Sequence, residues 1–230
     1  FGRAWETPPF DAGIDRYDND TLSFALDPYH QGYQNPSWST LLARVLMTNT
    51  VFKNKFINQF ADEMNTRFKA DNVRNHVNSI ANSVSSEISR HFAHWSSWDN
   101  LSPYWQTRRM NLAYGDWQNE LDKIIDFTDN RISSLASYYR SYFGINGMFN
   151  LNLSINNTEA GSVQLNSLTI DTASWQGEYF DFIPVSLTAV PNEGYEFVGW
   201  QGSINQFDAN ATLTTSENAS VQAIFQAIEN

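Results

Sequence analysis

Acidic side chains cluster in the segment GIDRYDNDTL near the start of the chain. Asp15, Asp18 and Asp20 lie close together, with Asn19 between the last two. Carboxylate and amide oxygens are the ligands that Ca²⁺ and Mg²⁺ prefer in proteins. The segment lacks the alternating acids, central glycine and closing glutamate of an EF-hand loop. Two interpretations are open, a divalent metal site and a solvated acidic loop, and the incomplete spacing favours the loop.

Nitrogen ligands and cations that could contact phosphate are also present. His91 and His94 are three residues apart in a helical segment, but the chain has no HExxH spacing and no acid completes a metal site. Packing or capping at a helix end is the favoured role for these histidines. Isolated cations on a helix surface are usually only solvated. The candidates for phosphate contacts are Arg44, Lys53, Lys55, Arg67, Arg108 and Arg109.

The sequence contains no other catalytic pattern. There is no GxSxG elbow, no P-loop and no dinucleotide-binding fingerprint. Neighbouring carboxylates such as Asp62 and Glu63, or Glu120 and Asp122, cannot share one helix face, because residues one or two apart point in different directions. The chain has 0 cysteines, which excludes disulfides, thiolate metal sites and cysteine nucleophiles. We therefore find no self-contained active site and expect no bound metal or cofactor in this chain.

Composition excludes several classes of partner. The 230 residues are 41% hydrophobic and 15% aromatic, which is typical of a folded chain with one large core or two smaller ones. The net charge is −11, from 25 acids against 14 bases. Binding to nucleic acid requires clustered Lys and Arg, so we expect no nucleic-acid partner. No apolar run approaches the roughly 20 residues that span a bilayer, so we expect no membrane span.

Two consecutive amphipathic helices are predicted over residues 35–68. Apolar residues recur there at helical spacing, with a short break at residues 48–49. Ser37 is the expected N-cap of the first helix, and Asn49 or Thr50 that of the second. With so short a joint, the two apolar faces are expected to pack against each other. These faces consist of Trp38, Leu41, Leu42, Val45 and Leu46, and of Phe52, Phe56, Ile57, Phe60 and Met64.

Two longer helices are predicted further along the chain. Asp71 is the expected cap of the first, and the second extends from about Tyr114 to Phe143, where Gly144 provides a residue that can adopt a positive φ. The expected apolar face of the first is Val73, Val77, Ile80, Ala81, Val84 and Ile88. That of the second is Trp117, Leu121, Ile124, Ile125, Thr128, Ile132, Leu135 and Tyr139. Both helices should contribute to a core.

The periodicity changes from helical to alternating near Gly144–Gly147. Period-two runs predict strands, and clusters of turn residues separate them, as in a small and mostly antiparallel sheet. We place a domain boundary here, between a helical region at 1–147 and a β module at 148–230. The predicted fold class is α+β. The period-two runs are Phe149–Ile155, Val163–Leu165, Val185–Ala189 and Val221–Phe225.

The helical region resembles the CotH-type (spore coat protein H) kinase family over residues 1–147. The most specific segments are WSTLLARVLMTNTVFKNKFINQFADEMNTRF and the closing RISSLASYYRSYFGING, with EISRHFAHW between them. The resemblance implies the helical lobe of an atypical kinase-like fold. It also implies a secreted or cell-surface bacterial protein that uses ATP and Mg²⁺ to phosphorylate Ser or Thr on a protein substrate, expected to be Ser-rich and basic.

The resemblance also places the catalytic residues outside this chain. In the family an acidic metal-binding motif ends in Phe-Gly, which Phe1 and Gly2 match, so its acids, the nucleotide-gripping lysine and the catalytic aspartate are expected before residue 1. The chain alone is then expected to be an inactive fragment, because phosphoryl transfer needs all these parts together. Residues 3–34, with Arg3, Glu6 and Asp11, are expected to form a loop beside that site that contacts the substrate.

The second region resembles a divergent internalin-type B repeat. Its most specific segment is LTAVPNEGYEFVGW, in which Pro191 and Gly194 form a turn and Trp200 supplies a large apolar surface. Trp200 is a candidate sugar-stacking platform, although a core position is favoured. The resemblance implies a small β-grasp-like surface or adhesion module that binds a polysaccharide or a protein. The alternative to a kinase is therefore a non-catalytic surface protein with a structural, carbohydrate-binding or adhesive role.

Overall fold

The computed structural model describes residues 17–27, 38–96 and 114–229. Within these residues five α-helices precede a region of strands, in agreement with the predicted α+β class. None of these helices is long and apolar enough to cross a membrane. The helices are α1 (Thr21–Leu26), α2 (Leu41–Met47), α3 (Thr50–Asn65), α4 (Ala70–Ser96) and α5 (Tyr114–Phe143).

Contacts divide the described residues into two compact units. One contains residues 17–21, 68–96 and 114–135, and therefore α4 and most of α5. The other contains residues 22–27, 38–67 and 136–229, and therefore α2, α3, the last turns of α5 and all of the strands. The boundary at 147/148 is drawn from periodicity alone and stays a prediction. Contacts group α3 with the strands that follow it by more than 80 residues.

The two neighbouring helices α2 and α3 differ in burial. In α3 the side chain of Asn49 accepts a hydrogen bond from the Phe52 backbone N–H at 3.0 Å, which confirms one of the two predicted caps. Ser37 lies outside the described residues, and α2 is preceded instead by Thr40, whose side chain makes no capping bond. Trp38 and Leu42 are 76% and 72% exposed. The prediction that the apolar face of this first helix is buried against the second is therefore wrong.

For the two longer helices, the structure agrees with the predicted extents but only in part with the predicted buried faces. Asp71 lies inside the first turn of α4, so it is not the N-cap. Ala81 is buried, but Ile80 and Val84 on the same predicted face are exposed. Helix α5 spans the predicted residues and ends at Phe143, and the next residue, Gly144, has a φ of +66°. An L residue rarely adopts this conformation, which explains the glycine at the end of the helix.

Among the described residues, eight strands form two four-stranded sheets, not the single sheet that the alternating pattern suggested. The order is β4-β1-β8-β6 in one sheet and β3-β2-β5-β7 in the other, and every pairing is antiparallel except β1 with β8. The predicted strands correspond to β1, β2, β5 and β8. The strands are β1 (Met148–Ile155), β2 (Gly161–Leu165), β3 (Leu168–Ile170), β4 (Ser174–Phe180), β5 (Val185–Pro191), β6 (Tyr195–Gly202), β7 (Asn210–Leu213) and β8 (Ala219–Ala227).

The alternating residues of these strands form a dense apolar core. Trp200 is buried, and its ring N–H donates to the Asp208 carbonyl at 3.0 Å, so the indole packs inside the module and is not a sugar platform. Gly194, at φ +84°, completes the turn after Pro191. The core includes Phe149, Leu151, Leu153, Val163, Leu165, Val185, Leu187, Val221, Ala223 and Phe225.

Candidate functional site

A fully buried arginine holds the described end of the acidic loop. Arg131 projects from the inward face of α5, and its guanidinium donates to the backbone carbonyls of Tyr17, at 2.7 Å, and Asn19. It also donates to the Thr21 hydroxyl at 3.0 Å. A buried guanidinium requires such acceptors, because an unpaired charge in the interior is costly. Arg131 therefore fixes residues 17–21 against α5.

This arrangement changes the interpretation of the acidic loop. The carbonyl oxygens of Tyr17 and Asn19, which could have joined Asp18 and Asp20 in coordinating a cation, accept hydrogen bonds from a guanidinium. Asp15 lies outside the described residues. Among the residues that are described, no group of three or more His, Asp or Glu side chains could hold a metal ion. The described residues therefore offer no such cluster from which a phosphoryl-transfer step could be derived.

The other predicted site residues lie on or beside helices α2, α3 and α4, or outside the described residues. His91 and His94 are exposed on α4. Arg67 lies 3.2 Å from Glu63 one helical turn earlier, as an ordinary surface pair. The predicted substrate-loop and motif residues lie outside the described residues, as do two of the phosphate candidates. These are Phe1, Gly2, Arg3, Glu6, Asp11, Arg108 and Arg109.

A second cluster of polar groups surrounds the fully buried Asp62 of α3. One carboxylate oxygen accepts from the Tyr179 hydroxyl at 2.9 Å and from the Asn166 amide at 3.3 Å. The other accepts from the Ser167 backbone N–H at 3.0 Å and from its hydroxyl at 2.6 Å. Burial raises the pKa of Asp62, and these hydrogen bonds oppose the rise only in part. Burial also raises the pKa of Tyr179, assisted by the adjacent carboxylate.

The Asp62 cluster borders a groove of about 620 Å³ beside α3. Asn58, one turn before Asp62, donates from its side-chain amide to the Pro184 carbonyl at 2.7 Å. Among the described residues that line the groove there is no histidine to act as a general base beside Ser167 and Asp62. The carboxylate and the hydroxyls are bonded to one another. This chemistry is that of a structural contact between a helix and a β module.

Sequence reasoning did not select Arg131, Asp62 or Tyr179 as site residues. Arg131 follows Thr128 and precedes Leu135 on one face of α5, so a cation interrupting an apolar stripe was the available signal. Asn58, Asp62 and Asn65 fall at i, i+4 and i+7, which is a polar stripe beside the apolar one. Asp62 and Glu63 do point in different directions, since Asp62 is buried and Glu63 pairs with Arg67.

Comparison with known protein families gives two matches. Residues 151–229 match the divergent InlB B-repeat domain, in agreement with the resemblance found in the sequence. Residues 5–135 match the family described as CotH kinase protein. No curated protein and no solved structure matches the chain. The match to residues 5–135 covers more than half of the chain, and the chain therefore belongs to the CotH kinase protein family.

Proposed function

We propose that this chain is the C-terminal part of a secreted or cell-surface protein kinase, with a B-repeat as an appended surface module. The observation that carries the proposal is the family match over residues 5–135. The longer protein would use ATP and Mg²⁺ to phosphorylate Ser or Thr on a protein substrate. The residues that bind the nucleotide and the metal would precede Phe1, so this chain alone would have no activity.

In this proposal the described residues support the site and do not perform the chemistry. Arg131 holds residues 17–21 at a fixed place on α5 by three hydrogen bonds. In the longer protein, Arg3, Glu6 and Asp11 would contact the protein substrate. Phosphoryl transfer depends on positioned groups more than on covalent chemistry by the protein, so a segment anchored in this way suits such a site.

The genomic sequence immediately before Phe1 is the first test. The proposal expects an Asp-x-Asp motif there, separated from Phe1-Gly2 by two residues. The extended protein should transfer radiolabelled phosphate from ATP to a Ser-rich basic protein in the presence of Mg²⁺. The present chain, and an extended protein with both motif acids changed to Asn, serve as matched controls and should transfer none. Missing acids, or equal labelling by the protein and its controls, would overturn the proposal.

The substrate loop is tested separately in the extended protein. Replacing Arg3, Glu6 or Asp11 with Ala should raise KM for the protein substrate several-fold and leave KM for ATP unchanged. Arg90→Ala is a matched control and should leave both KM values unchanged, since Arg90 is exposed and pairs only weakly with Glu87 at 3.3 Å. Unchanged KM values in all three variants would exclude a role of this loop in substrate binding.

One observation favours the second candidate function, a binding protein without catalysis. Phe207, in the loop between β6 and β7, is 86% exposed, which is unusual for a large aromatic side chain in a small module. An exposed ring can stack on a sugar or anchor a protein contact. Binding of the chain to a glycan array that disappears with Phe207→Ala would support this function. If the chain binds no glycan on the array, carbohydrate binding is excluded for the glycans tested.

A further inference from the structure

Helix α3 contacts the B-repeat through polar residues at regular spacing. Asn58, Asp62 and Asn65 occupy positions i, i+4 and i+7, which lie on one side of a helix. Each of them hydrogen-bonds to the β module: Asn58 to Pro184 and Asn166, Asp62 to the Asn166–Ser167 turn and to Tyr179, and Asn65 to Glu178. The helix therefore contacts the module along about two of its turns.

Asn65 acts on β4 as a neighbouring strand would. Its amide N–H donates to the Glu178 carbonyl at 2.8 Å, and its amide oxygen accepts from the Glu178 N–H at 2.9 Å. Strand β4 is at the edge of its sheet, where backbone groups otherwise lack a partner strand. Gly177 permits the approach, because a Cβ at that position would lie 2.8 Å from the Asn65 side chain. The helix thus covers part of an exposed sheet edge.

Apolar packing accompanies these polar contacts. Phe60 of α3 stacks on Tyr139 at 3.8 Å between ring centroids and lies 6.3 Å from the ring of Phe180, the last residue of β4. Tyr139 and Phe180 are themselves 6.0 Å apart. Stacked aromatic rings add to the stabilisation that burial provides. Helix and module therefore share one continuous set of polar and aromatic contacts.

We propose that this face of the B-repeat is a helix-docking site, and that its ligand is α3 of the same chain. The recognised partner is a helix with Asn, Asp and Asn at i, i+4 and i+7 and an aromatic residue beside them. Docking makes α3 and the B-repeat a single cooperative unit, although the two family matches assign them to different regions. The B-repeat is then part of the folded core around α3 and not an independent stalk.

Hydrogen exchange of the full chain, measured by mass spectrometry, tests this proposal with a variant at Asn156. Asn156 pairs with the backbone of Phe225 in β8 through both halves of its side-chain amide, at 2.8 and 2.9 Å. Asn156→Ala should raise exchange in β1 and β8 by about tenfold, as expected for the loss of two hydrogen bonds. If α3 belongs to the same unit, its amides should accelerate by the same factor. Unchanged exchange in α3 would overturn the proposal.

Two further variants keep the test decisive if Asn156→Ala fails to fold. Asn65→Ala removes the contact with Glu178, and Gln59→Ala removes an exposed side chain that bonds only to Glu63 of its own helix. Asn65→Ala should accelerate exchange in both α3 and β4, and Gln59→Ala in neither. If Asn65→Ala changes α3 alone, or matches Gln59→Ala, the docking proposal is wrong.

Discussion

Helices α2 and α3 are neighbours in the chain and have similar amphipathic patterns, but only α3 is packed. The apolar side chains of α2 remain exposed, with Leu42 at 72%, whereas Ile57 of α3 is fully buried. Both stripes satisfy the same helical spacing. What distinguishes α3 is its second, polar stripe, which bonds to the β module. Periodicity thus predicts that a helix forms, while the polar residues beside the stripe indicate what it packs against.

The largest contrast is expected from truncating one apolar residue in each helix. Ile57→Ala should lower the free energy of unfolding by about 2–5 kcal/mol, because it leaves a cavity in a packed interior. Leu42→Ala should change it by no more than about 0.5 kcal/mol, since the side chain is already in solvent. Urea denaturation followed by tryptophan fluorescence measures both values. Similar losses in the two variants would mean that α2 is covered in solution.

The next largest effect is expected at the polar stripe. Asp62→Ala should cost about 2–4 kcal/mol, because the Tyr179 hydroxyl and the Ser167 N–H lose a buried acceptor. Tyr179→Phe removes one donor and leaves the carboxylate with its other partners. A double-mutant cycle should give a coupling energy of about 0.5–3 kcal/mol between the two residues. Strictly additive losses would show that this hydrogen bond does not contribute to the attachment of α3.

The pH dependence of stability sharpens the role of Asp62. Its pKa in the folded state is raised by burial above the unfolded value of about 3.9. Folding is therefore favoured by the protonated form, and this contribution is fully present below the unfolded pKa and lost as pH rises through the folded pKa. As pH falls through this window, wild type should gain stability relative to Asp62→Asn. Urea denaturation of both proteins at several pH values between the unfolded and the folded pKa measures the difference in the free energy of unfolding. A difference that does not change with pH would contradict the prediction.

The smallest effect is expected at the helix starts. Asn49 accepts from the Phe52 N–H, so Asn49→Ala should cost about 1 kcal/mol. Thr40 precedes α2 without a capping bond, although its hydroxyl accepts from Arg44 at 2.7 Å. Thr40→Ala should therefore cost less than about 0.5 kcal/mol. Thermal unfolding ranks the two variants, and a reversed order would mean that α2 is the better anchored helix.

Sequence reasoning recovered elements with a strong period and missed those defined by long-range partners. The bounds of α5, the cap at Asn49 and strands β1, β2, β5 and β8 follow from local patterns. Strand β4, with SWQGEYF, was not predicted, because Gly177 stands between Trp175 and Tyr179 where an apolar side chain would complete the alternation. That glycine lies against Asn65 of α3, a partner that local sequence does not reveal. The polar residues that organise the molecule were the hardest to find. Arg131 and Asp62 each acquire a role only through a partner about one hundred residues away in the chain.

The separation between Arg131 and its acceptors also bears on how the protein folds. The bond from Arg131 to the Tyr17 carbonyl joins residues 114 positions apart. Closing so long a loop has a large entropic cost, and contacts of this kind slow folding. Residues 17–21 can reach their final place only after α5 exists to receive them. During synthesis, residues 17–21 therefore cannot form these contacts until α5, more than one hundred residues later in the chain, has been synthesised.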